Sequence, residues 1–198
     1  MPTKSERISD LMRHLMNKAA NEESVTVGHV LEVFGIRGFA FLLLILALLN
    51  IFIFMVPFIS ILFGIPMIIL AAQMILGIAT PIFPHFILER TIKREALIKG
   101  LEQSIRGVEI IEAYIKPRLF VLSGPHLDRV HGLLVLMLAV MVALPIPVIN
   151  IPPSIALVFL AIGMLQRDGL FIILAYAVAI WCFWLFKSLG KLAQALTR

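Results

Sequence analysis

Two neighbouring charges stand where an otherwise apolar chain can least hold them. Arg167 and Asp168 follow one long apolar run and precede another, so they either mark an interface, with Gly169 as the turn, or are drawn inward as an ion pair. A charge inside hydrocarbon needs a partner, which makes such a pair a candidate site. Arg37 and Arg129 each stand just before an apolar leg. There they either anchor in headgroups by snorkelling or bind a phosphate-bearing lipid or glycan carrier. Asn50, Gln73, Asn150 and Gln166 are the amides of the apolar runs. They either satisfy backbone groups freed by nearby prolines or line a polar path.

Other chemistry finds little support. The five histidines (His14, His29, His85, His126, His131) lack metal-ligand spacing, and no acidic pair sits beside them in sequence. Single scattered glycines form neither a phosphate cradle nor a nucleophile elbow. The lone Cys182 excludes a disulfide framework or a thiolate cluster within one chain and reads as apolar filler. The expectation is therefore a protein that is not an enzyme and carries no metal or cofactor.

The elements that would position these residues are dominated by lipid-compatible sequence. Of 198 residues, 61% are hydrophobic and 15% charged. The mean hydropathy of +1.02 lies outside the soluble range. Apolar blocks run over Phe39–Ile78, Leu133–Leu165 and Leu170–Phe186. The first is too long for a signal peptide, and acids balance bases ahead of it. The net charge of +5 lies on amphipathic segments beside these blocks, which favours anionic headgroups over nucleic acid as the partner.

Thr3 and Glu6 have capping-box spacing, and Ile8, Leu11, Met12, Leu15, Met16 and Ala19 recur at the helical period. This predicts an amphipathic helix over 4–20 lying on the membrane surface. Thr26 is placed to cap a second short helix, closed by Gly35. A central amphipathic helix is predicted over 89–116, with Glu89, Glu95, Glu102 and Glu112 each four residues ahead of a base; Pro117 ends it.

The first two apolar blocks share a layout, a basic residue and glycine, an apolar leg, a break, a second leg and a glutamine, repeating at 93 to 94 residues. The breaks fall at Asn50–Ser60, with Pro57, and Leu144–Ser154, with Pro145, Pro147, Pro152 and Pro153. Both are apolar, where a turn in water would carry polar residues. A leg of Gly132–Leu144 rises only ~20 Å against ~30 Å of hydrocarbon. Hairpins that turn inside the bilayer are favoured over two tilted full spans.

The expected fold is an all-α integral membrane protein. It has interfacial helices over 1–36, a first Pro-broken hairpin over 37–80 and an amphipathic linker over 81–130. A second hairpin over 131–168 and a C-terminal transmembrane helix with its tail over 169–198 follow. The positive-inside rule puts the amino terminus and the linker in the cytoplasm, although Lys187, Lys191 and Arg198 then oppose it. Opposite insertion or an antiparallel homodimer stays open.

Thr26, Gly28, Leu31, Gly35, Arg37, Gly38 and Phe39 form a signature that returns as Pro117, Arg118, Leu119, Leu122, Gly124 and Pro125. With Leu144, Pro145, Ile146, Pro147, Asn150 and Pro152, then Gly163, Gln166, Arg167, Asp168 and Gly169, the chain resembles the ExoD family of bacterial membrane proteins over roughly 24–187. Family members carry more prolines in the first turn and basic residues where this chain has Ile78, Ala79 and Thr80. The resemblance implies a multi-pass protein of the bacterial inner membrane active in exopolysaccharide production or export, and adds Arg118 to the cavity candidates. Two readings follow. One is transporter-like handling of a lipid-linked or anionic substrate in a cavity between hairpins. The other is a non-catalytic accessory protein of the polysaccharide-synthesis machinery.

Overall fold

A computed structural model describes residues 8–20, 24–26, 28, 34, 37–52, 59–82, 88–89, 91–95, 98–99, 101–102, 105, 109, 127–144 and 150–196. Among these, six helices and one two-stranded ribbon appear in the order α1 (Ile8–Ala20), β1 (Ser24–Thr26), α2 (Gly38–Phe52), α3 (Ile59–Leu76), β2 (Thr91–Lys93), α4 (Asp128–Ala143), α5 (Ile151–Gln166) and α6 (Gly169–Leu196). Pro57, Pro145, Pro147 and Arg118 lie outside the described residues, as does the Thr3–Glu6 capping box.

The four helices α2 to α5 pack across one another. α3 lies along α4, and α2 lies along α5. The α3–α4 pair runs antiparallel at backbone contact: a Cβ on Gly64 would lie 2.7 Å from Ala143 Cβ, and one on Gly132 would lie 2.9 Å from Met74 Cβ. Glycine is required at both crossings because a side chain would force the helices apart. α5 and α6 meet at a tight corner, where a Cβ on Gly163 would come within 2.7 Å of Ile172 Cγ1.

The core is a continuous apolar cluster that includes Leu43, Leu70, Leu138, Leu157, Leu160 and Ile172. The outward faces are apolar as well. Leu62, Ile65, Ile69 and Leu76 form an exposed stripe on α3, and Val130, Leu133, Met137 and Val140 form one on α4. α6 adds Ile173, Ile180, Trp181 and Trp184. Polar residues are inside instead: Asn50, Ser60, His131, Asn150, Ser154 and Asp168 are buried. A surface of this kind needs lipid or another protein to cover it. Among the described residues, one helix is long and apolar enough to cross a membrane alone, Gly169–Ser188. Gly38–Phe52, Ser60–Leu76 and Ile151–Gln166 are shorter.

Three sequence expectations change. First, Pro152 and Pro153 do not break a helix; they begin one. Asn150 is the cap of α5, and both prolines fall in its first turn, where a missing N–H costs no helical bond. Second, Thr26 ends a strand, β1, ahead of the expected short helix, of which the described residues Gly28 and Phe34 are helical; β1 pairs antiparallel with β2 through Ser24 with Lys93, Val25 with Ile92 and Thr26 with Thr91. The central helical conformation therefore starts after Lys93, and β-branched residues on both strands favour the ribbon. Third, the apolar face of α1 is not free for a lipid surface. Met12 and Leu15 are buried with Val25, Phe34, Leu101, Ile105 and Leu165, so protein covers that face. Phe34 stacks on Phe41 at 4.1 Å, which ties this cap to α2.

Candidate functional site

The antiparallel pairings sort the candidates to opposite ends of the bundle. At one end lie the start of α2, the end of α3, the start of α4, the end of α5 and the start of α6. At the other lie the approaches to both bends. Arg37, Gln73, Arg129, Gln166, Arg167 and Asp168 belong to the first end, and Asn50 and Asn150 to the second.

The bend end holds a buried polar network. Asn50 Nδ2 donates to Ser154 Oγ at 2.8 Å, and Ser154 Oγ donates to the Asn150 carbonyl oxygen at 2.8 Å. Asn150 Nδ2 donates to Ser60 Oγ at 2.8 Å. Asn50 and Asn150 are 1% and 2% exposed, so each lost bond would strand a dry polar group. The network joins the end of α2, the start of α3 and the start of α5, and thereby ties these helix ends together. Ser60 and Ser154 are equal partners that sequence reasoning did not single out, although their spacing of 94 residues matches the repeat.

The opposite end is basic. Gly77, at φ +77°, closes α3 with its N–H donating to the Met74 carbonyl and Ile78 N–H reaching back to Gln73. The exposed Arg129 guanidinium passes over this turn, so that a Cβ on Gly77 would lie 3.0 Å from its Nη2. Gln73 clasps the loop after α3: its Nε2 donates to the Ile82 carbonyl at 2.8 Å, and its Oε1 accepts the Ile82 N–H at 2.7 Å. Its amide serves backbone, which leaves it apart from the Asn50–Asn150 network. Gln166 is half-buried at the last position of α5.

Arg167 and Asp168 form the α5–α6 corner. Arg167 is left-handed, at φ 54° and ψ 38°, and its N–H donates to the Gly163 carbonyl. Its side chain is exposed. Asp168 is buried and caps α6, with Oδ1 accepting the Leu170 N–H at 2.9 Å. The carboxylate is thus held by a helix start, where the dipole favours it.

A second cluster sits at this end. His131 is buried, and its Nδ1 lies 3.1 Å from Tyr176 Oη with the rings edge to face. Asp128, one turn earlier on α4 and ahead of its apolar stretch, has its carboxyl pushed up by burial, while His131 and Arg167 pull it back. Neither Tyr176 nor Asp128 stood out in sequence, because i, i+3 spacing from His131 and a lone tyrosine on an apolar helix are weak signals. No group of His, Cys, Asp and Glu fit to hold a metal appears among the described residues.

The profile of the family described as "Exopolysaccharide synthesis, ExoD" matches residues 8–188. The chain is 30% identical over 176 residues to Protein ExoD of Rhizobium meliloti (strain 1021), an alignment covering 87% of this chain and 73% of that protein. No solved structure matches the chain.

Proposed function

This chain belongs to the ExoD family of exopolysaccharide synthesis, and from that premise we propose that it is a multi-pass protein of the bacterial inner membrane that handles an anionic or lipid-linked substrate without catalysing a reaction. The observation that carries the reading is its inverted polarity. Apolar stripes face outward on four helices, while amides, hydroxyls and one carboxylate are buried between them.

The crossed pairing of α2 with α5 and α3 with α4 supports two related hairpins in the membrane. α5 has 16 residues and rises ~24 Å, so its bend stops a few ångströms short of the far side of ~30 Å of hydrocarbon. Trp181 and Trp184 on α6 fall close to that level, where amphipathic rings favour the interface. Arg37, Arg129 and Arg167 then meet phosphate-bearing headgroups or carriers at the cytoplasmic mouth, and the amide network lies at the closed end.

Reconstituted liposomes test this through flux of a fluorescent polyprenyl phosphate. The wild-type chain raises flux, Arg129→Gln reduces it roughly tenfold, the scale of one lost charge-assisted contact, and Arg167→Gln added to it reduces it further. Flux unchanged by these replacements and by Asn150→Ala counts against the reading. The exposed charges of α1, with Arg13 paired to Glu109, favour a second reading, an accessory protein that docks partners on its cytoplasmic cap. A stable polysaccharide-synthesis complex recovered from native membranes, lost when α1 surface charges are reversed, favours that one.

A further inference from the structure

The network at the bend end leaves one atom over. Both amide nitrogens and both serine hydroxyls are engaged, yet Asn150 Oδ1, in a side chain 2% exposed, accepts no hydrogen bond among the described residues. A dry carbonyl oxygen demands a donor or a positive charge.

The surroundings narrow what can supply it. Residues 151–153 open α5, and Pro152 and Pro153 leave Ile151 with the sole N–H of the three. A helix start that ordinarily offers donors is here poor in them. Ser60 Oγ and Ser154 Oγ each accept one hydrogen bond and keep a second lone pair. The cluster is thus rich in neutral oxygen and contains no ionisable side chain. An anion is disfavoured by a bare acceptor. A divalent ion ordinarily takes carboxylate ligands, of which the cluster has none.

We propose that a monovalent alkali cation binds where α2, α3 and α5 meet, with Asn150 Oδ1 as its principal ligand and the hydroxyl oxygens of Ser60 and Ser154 beside it. Such a cation bridges the two hairpins, because Ser60 belongs to the first and Asn150 to the second. This site goes beyond the substrate reading and stands without it.

The full chain in detergent micelles, unfolded thermally at constant ionic strength, tests the assignment. Tm is expected to be roughly 3 °C or more higher in sodium chloride than in choline chloride, rising to saturation with sodium concentration. Equilibrium dialysis with radioactive sodium should retain about one ion per chain, as the single-site binding behind that shift requires. Ser60→Ala and Asn150→Leu abolish the sodium dependence, and Asn150→Asp, which adds a charge, lowers the sodium needed for half the shift. Should Asn150→Leu fail to fold, Ser60→Ala and dialysis of the wild-type chain decide. Equal Tm in sodium and choline with no ion retained, or a sodium response undiminished in Ser60→Ala, overturns the site and leaves a water on that oxygen.

Discussion

Gly64 and Gly132 determine how closely α3 and α4 approach, since each faces the partner helix at a distance a methyl group cannot share. Gly64→Ala is expected to lower stability by about 1–3 kcal/mol through overpacking, read as a reduced Tm in detergent. Ile65→Ala, one residue on and exposed, serves as a control with little effect. Asp128 gives a pH-dependent case. Burial raises its carboxyl pKa in the fold, so the folded chain holds that proton more tightly than the unfolded one. Its contribution to stability is present at low pH and lost as pH rises above the ordinary carboxylate range. Asp128→Asn should therefore raise Tm at neutral pH, and the gain should fade through the ordinary carboxylate range and vanish below about pH 3, where the wild-type carboxyl is protonated in both states. At this scale the sequence shows which residues are out of place but not which partners they take. Asn50 and Asn150 are conspicuous as amides in apolar runs, whereas the partners Ser60 and Ser154 are small enough to pass as filler. Gln73 is equally conspicuous, yet it serves the backbone of Ile82.

The helices themselves are legible because length and composition decide them; α2 to α6 follow the apolar blocks, although α4 starts at Asp128 ahead of its block and α6 runs past Phe186 to Leu196. What covers an element is less so. Helical period identifies the hidden face of α1, and Met12 and Leu15 are buried, but period alone does not say whether lipid or protein hides it. The answer is protein: β1, β2 and Leu101 with Ile105 complete a small cap. The ribbon escapes sequence reading because three residues per strand are too few for alternation to register. Leu15→Ala, at a side chain 1% exposed, is expected to cost about 2–5 kcal/mol locally and to open the cap to trypsin at Arg13 and Lys18. A cap resting on lipid through this face would instead gain vesicle-dependent protection. In that case detergent or vesicle would change the cleavage rate more than Leu15→Ala does.

Taken whole, the described residues bury amides and hydroxyls between helices whose outward faces are apolar, and an amide network joins the helix ends. The proposed membrane setting accounts for these features, since broken backbone in oil is tolerated only where protein covers it. The apolar legs are legible from composition, while the pairing of α2 with α5 and of α3 with α4 is not, because it depends on where Gly64 and Gly132 meet their opposite helices. Single cysteines in a Cys182→Ser background of intact cells test the membrane account most directly. Thr80→Cys, at the basic end, should react only with reagents that enter the cytoplasm, and Met55→Cys and Val148→Cys, in the bends, should resist impermeant maleimide from either side. Rapid labelling of both bend cysteines from outside the cell would contradict hairpins that turn within the bilayer.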